Sequence, residues 1–212
     1  MIYKEALDGL MYRSGLYLPA GEKAEALRSI GRVWTPNDIW TYEADPLKRH
    51  KWLKGLERNF RNMSGRTIHQ DLALSLIGFA HAESLEGTDH LTELFDAHYS
   101  AGKVDLKLSG ELDEYRAMLE NKSRNHFDGA ANSWVMMEGR NNHIIYRIAK
   151  TADAHLQRYL LDGDVEDLAK ARSYLEAMSA GLSYITEDIE DMELISGVIK
   201  SIKGTQLPIN MS

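Results

Sequence analysis

Four of the chain's eight histidines, His69, His81, His90 and His98, fall in one stretch with Glu83, Glu86, Asp89, Glu93 and Asp96 between them. Imidazoles and carboxylates together offer two chemistries, a divalent-metal site or a proton-transfer site. Spacing limits the first. At 1.5 Å and 100° per residue, His69 and His81 on one helix are separated by about 18 Å along the axis and about 120° around it. His90 and His98 are about 12 Å apart on the next helix, too far to share one zinc. Neither H-x-x-x-H nor E-x-x-H occurs in the chain, and His90-x-x-Glu93 is the pair with ligand spacing. A metal reading therefore assembles its ligands between helices, from His90, Glu93, His143 and His155, and implies a divalent-metal-dependent all-α hydrolase, with nucleotides among its substrates. The alternative is that the histidines are buried or half-buried and satisfied by hydrogen bonds, still able to titrate near neutral pH.

The chain has no cysteine, which excludes disulfides, thiolate metal sites and a thiol nucleophile. It has no G-x-S-x-G, no G-x-x-x-x-G-K-[ST] and no G-x-G-x-x-G. The E-x-x-E pairs Glu22/Glu25, Glu83/Glu86 and Glu187/Glu190 suit a Mg²⁺-dependent hydrolase. They suit an ordinary solvated helix face equally well.

The basic segment PLKRHKWLKGLERNFRNM is more specific. Residues 48 to 66 hold seven basic side chains against the single acid Glu57. On a helix, Lys51, Lys54, Arg58 and Arg61 share one face, and Leu53, Leu56, Phe60 and Met63 share the opposite one. Lys48 and His50 border the basic face, Trp52 lies at one edge, and Arg49 projects toward the apolar side. Such a helix docks through its leucines and offers its cations to an acidic protein surface or to nucleic acid. The expected contact surface is Lys48, Lys51, Trp52, Lys54, Arg58 and Arg61. Residues 162 to 193 carry ten acids against Lys170 and Arg172. A second copy could therefore be the acidic partner, in a head-to-tail contact that closes into a homo-oligomer.

Glu138 to His143 form a polar interruption that reads as a turn at Gly139 to Asn142; on a continuous helix, Arg140, Asn141 and His143 would instead line a cleft. Trp34, Trp40, Tyr42 and Trp52 cluster near the basic segment and read as core or subunit-interface residues, with base stacking as the alternative. His69/His81 and His143/His155 share a spacing, and both second histidines follow alanine, which suggests a duplicated hairpin.

The elements that must position these residues are helical. Period-2 alternation is almost absent, and helix punctuation recurs: Thr35-Pro36 and Asp45-Pro46 as starts, then Thr67, Thr88, Ser109, Asp164 and Thr186, with Gly87, Gly102, Gly163 and Gly204 as stops. This predicts helices near 2–14, 20–33, 36–44, 46–63, 67–86, 88–101, 109–125, 129–162 with a break, 164–180 and 186–203. The helix over 67–86 is apolar almost all round, which predicts a central position. Acids begin the last helix and lysines end it, as the macrodipole favours.

The expected fold is an all-α, bundle-like single domain over 1–212, with an N-terminal subregion 1–64 packed on a core of 65–204 and a tail of 205–212. A hydrophobic fraction of 43%, a net charge of −7 and no apolar run of membrane length suggest an unsecreted, cytoplasmic, soluble protein. The functional expectation is a non-enzymatic helical adaptor, inhibitor or assembly factor acting through the basic helix, without a cofactor. The hydrolase and the structural homo-oligomer are its alternatives.

Overall fold

The computed structural model describes residues 11–33, 46–65, 67–137, 145–181 and 189–205. These residues are mostly helical, with no strand among them. In chain order they form α1 (Ala20–Val33), α2 (Pro46–Arg61), α3 (Ile68–Glu83), α4 (Leu91–Glu111), a 3-10 turn (Asp113–Tyr115), α5 (Arg116–Met137), α6 (Ile145–Asp162), α7 (Val165–Gly181) and α8 (Ile189–Gly204). No helix among them is long and apolar enough to cross a membrane.

The contacts divide the chain into two compact units, residues 1–126 and 127–212, and the division falls within α5. In the first unit α3 is central and packs against α1, α2 and α4. Its all-round apolarity is the cause. Leu72, Leu74, Leu76, Ile77 and Ala80 are all at most 3% exposed, so the helix has no solvent face along its middle. Gly78 lets α4 approach closely, since a Cβ there would stand 3.1 Å from the Cβ of Ala101. In the second unit α6 packs on α7, and α8 lies against both through Ile195, Val198 and Ile202.

Several expected boundaries hold for local reasons. Thr67 caps α3 with a full capping box, its hydroxyl accepting from the Gln70 amide while the Gln70 side chain accepts from the Thr67 amide. Gly87 and Gly163 both have φ of +73°, the left-handed conformation that ends a helix at little cost to glycine. Asp164 accepts from the Glu166 amide at 2.9 Å and starts α7.

Two expectations are corrected. Gly102 does not stop a helix: α4 runs from Leu91 to Glu111, Gly102 is buried inside it, and its carbonyl accepts from Ser123 Oγ at 2.9 Å. The long burial of α4 against α3 outweighs the weak helix propensity of one glycine, about 1 kcal/mol. Thr88 does not cap α4; its hydroxyl donates to the Leu85 carbonyl and accepts from the His90 amide, closing the turn that precedes the helix. The expected helix over 36–44, the start at Thr186 and the choice between turn and cleft at 138–143 lie outside the described residues.

Candidate functional site

The basic helix α2 docks as its pattern requires. Leu53, Leu56 and Phe60 are at most 5% exposed in the core of the first unit, while Lys48, Lys51, Lys54 and Arg58 are exposed. Trp52 is half-buried and packs against the same core. Met63 is 38% exposed rather than part of the apolar stripe, because α2 ends at Arg61 and the register stops there.

Arg61 belongs to a different structure from the other cations. Its Nη2 donates to Glu57 Oε1 and to Ser100 Oγ, each at 2.6 Å. Glu57, the only acid of the basic segment, points inward and is 6% exposed. Ser100 Oγ donates to Glu57 Oε1 at 2.8 Å, and His81 Nδ1 stands 3.2 Å from Glu57 Oε2. The other nitrogen of His81, Nε2, is 2.7 Å from His50 Nδ1. Glu57, His81 and His50 thus form one hydrogen-bonded chain, carboxylate to imidazole to imidazole, between α2 and α3.

Burial acts on both ends of that chain. It alone would raise the Glu57 carboxyl, but the His81 hydrogen bond, the Arg61 charge and the Ser100 hydroxyl outweigh it and hold the group at about 2. His50 is brought down to about 4 by burial and then by the charges of His81 and Lys54; Glu93 pulls the other way, and His90 adds to the lowering. The ring of His50 therefore sits within electrostatic reach of Lys54 on its own helix and of His90 and Glu93 at the start of α4.

A second buried cluster lies between α3, α4 and α5. Ser75 Oγ donates to Asp105 Oδ1. Asp105 Oδ2 is buried without a hydrogen-bond partner, with Lys122 Nζ at 3.8 Å and His126 Nε2 at 3.9 Å. Lys122 donates to the Ser14 carbonyl at 2.9 Å and stands over the Phe79 ring. His126 Nδ1 is 3.1 Å from His98 Nδ1, so one of the two must donate and the other accept. Burial raises Asp105 to about 6, against the pull of Lys122 and Ser75. Burial likewise lowers Lys122, brings His98 to about 4 with help from the His81 charge, and takes His126 well below its ordinary value.

The described residues of the metal reading fall in both units. His90 precedes α4 with its side chain 33% exposed and 3.9 Å from Asp89, and Glu93 lies in the first turn of that helix. His155 belongs to the second unit, its Nδ1 2.8 Å from Asp167 Oδ1, and His143 lies outside the described residues. Among the described residues no group of three or more His, Asp or Glu could hold a metal ion.

Sequence reasoning missed both clusters, Glu57 with His81 and Asp105 with Lys122 and His126. One signal was present: Glu57 is seven residues after His50, on the same helix edge, and is the lone acid in a basic segment. Asp105 was hidden by the false stop at Gly102, which placed it in a loop. Set against known protein families, curated proteins and solved structures, the chain matches none.

Proposed function

We propose that the first unit is a polyanion-binding module whose contact surface is the outer face of α2, with an acidic protein or a nucleic acid as its partner. One observation carries this reading. Lys48, Lys51, Lys54 and Arg58 are exposed on a helix whose single acid, Glu57, is turned into the core, so no carboxylate of α2 itself offsets them at the surface. Arg61, committed to Glu57 and Ser100, leaves the expected contact set, and Trp52 supports the helix rather than forming the contact.

A row of cations on a rigid, docked helix binds a polyanion largely by counterion release, which makes affinity steeply salt-dependent. The test is fluorescence anisotropy of a labelled single-stranded RNA, with poly-glutamate as the protein-like competitor. Reversing Lys51, Lys54 and Arg58 to Glu is expected to weaken binding by about 100-fold or more and to flatten the salt dependence by about three contacts' worth. The circular-dichroism melt should not change, because all three side chains are exposed. Equal affinity of the parent and the triple variant would remove the reading.

A further inference from the structure

We propose that the acidic partner of α2 is a second copy of this chain, which docks the turn between its own α6 and α7 on the basic face, head to tail. The inference rests on the polyanion reading of α2 and names its partner. The two surfaces are opposite in charge. Residues 48–66 hold seven basic side chains against the buried Glu57, and residues 162–167 hold four acids and no base. Of these acids Asp167 is buried against His155, while Asp162, Asp164 and Glu166 are exposed around the left-handed turn at Gly163. Their local contacts leave them able to meet a partner. Asp164 accepts from the Glu166 amide at 2.9 Å, and Glu166 Oε1 stands 2.8 Å from Lys170 Nζ in an exposed pair of the kind that exchanges partners readily.

The same two places carry apolar side chains that their own cores leave uncovered. On α6, Leu160 follows Leu156 by four residues, and on α7, Val165 precedes Leu168 by three. Leu156 and Leu168 are at most 1% exposed, whereas Leu160 is 59% and Val165 52% exposed. At the basic surface Met63 follows Phe60 by three residues and Ile68 precedes Leu72 by four; both are exposed, while Phe60 and Leu72 are fully buried. Each helix pair therefore carries its apolar stripe one turn past its core, at a corner that also exposes charge: Arg58 in the last turn of α2, and the three acids at the turn into α7. An aliphatic side chain is covered by another aliphatic side chain and not by a phosphate backbone, so the pattern fits a protein corner better than a nucleic acid. With one corner cationic and the other acidic on a single chain, electrostatics orient a second copy head to tail. This contact is heterologous: it leaves one working face open at each end, and so it propagates or closes into a ring. Two short corners bury less than a permanent interface does, which makes the association concentration-dependent and weakened by salt.

The experiment is sedimentation velocity of the full chain over a range of concentrations. The unsubstituted chain should gain mass with concentration and lose it as salt rises from about 50 mM to about 500 mM. Lys54→Glu with Arg58→Glu, and separately Asp162→Lys with Glu166→Lys, should each weaken self-association by at least about 10-fold. Mixed in equal amounts, these two variants should assemble again, because each presents to the other the sign that its own partner surface now requires. Circular dichroism checks that both are folded. Leu160→Ser leaves every charge in place and should also weaken association, so the proposal stays open to test if charge reversal at the start of α7 unfolds it. A chain that is monomeric at every concentration yet binds poly-glutamate or RNA overturns the proposal and leaves the polyanion reading of α2 standing. Assembly that neither salt nor charge reversal changes, or folded variants that stay apart on mixing, overturns it as well. A chain that neither self-associates nor binds a polyanion removes both.

Discussion

The two units each hold a buried imidazole against a carboxylate, and the pair differ in what the second face of the imidazole meets. In the first unit His81 Nδ1 faces Glu57 at 3.2 Å, and Arg61 shares that carboxylate. In the second, His155 Nδ1 faces Asp167 at 2.8 Å, and Arg158 Nη1 reaches the same oxygen at 3.1 Å. Both histidines follow alanine on a largely apolar helix. Beyond this point they diverge. His81 continues into the His50 imidazole, with ring centroids 4.7 Å apart, whereas His155 is stacked on the Tyr174 ring at 5.7 Å and 12°. In both units a carboxylate, an imidazole and a guanidinium are thus in contact. The first unit adds a second imidazole to that set and the second an aromatic ring. The carboxylate of the first pair lies on the helix before its histidine and that of the second on the helix after it, so the shared Ala-His spacing does not reflect one repeated hairpin geometry.

The sharpest way to break the comparison is to delete the two carboxylates. Glu57→Ala strips partners from His81, Arg61 and Ser100 at once, and is expected to cost about 3–5 kcal/mol in urea unfolding. Asp167→Ala removes the carboxylate from His155 and should cost less, because Arg158 retains Asp128, 2.7 Å from its Nε. A larger loss for Asp167→Ala would reverse the ranking of the two sites.

Acid should next separate the units. His50, His98 and His126 are all lowered in the folded first unit, whereas the second unit contributes His155, lowered by burial and held up in part by Asp167. A histidine lowered by folding binds its proton first in the unfolded chain. Stability therefore falls as pH drops below the ordinary 6.5 toward about 4, by up to about 1.4 kcal/mol per pH unit for each group. Asp105, raised to about 6, has the opposite sign: the folded state takes its proton first, and stability is gained as pH falls from about 6 toward the ordinary 3.8. Hydrogen exchange should show the first unit losing protection before the second on acidification. Asp105→Asn should steepen that loss between pH 6 and 4; an unchanged slope would mean that Asp105 does not titrate there.

The smallest stability effect belongs to the outer face of α2. Lys51→Gln or Lys54→Gln should move the thermal midpoint by no more than about 0.5 kcal/mol allows, while still weakening polyanion binding. A larger destabilisation would show that the cationic face supports the fold rather than a partner.

Much of the architecture was legible because it is local. The capping box at Thr67 and the glycines at 87 and 163 act within a few residues of themselves, so their types alone announce the boundaries. Gly102 misled for the opposite reason, since its environment is supplied by α5 through Ser123, 21 residues away. The apolar and cationic faces of α2 were readable from helical spacing, but Arg61 was assigned outward by its type when Glu57 and Ser100 in fact hold it.

By itself the sequence determined the helical class, the central place of α3 and the two-sided character of α2, because a 3.6-residue period and end-capping are properties of the chain one segment at a time. It could not decide which polar side chains meet. Glu57 and His81 are 24 residues apart, His50 and His81 are 31, and Lys122 reaches the Ser14 carbonyl across 108. Their pairing depends on how α2, α4 and α5 are set around α3, and burial then shifts their protonation because desolvation and a nearby charge act through space and not along the chain.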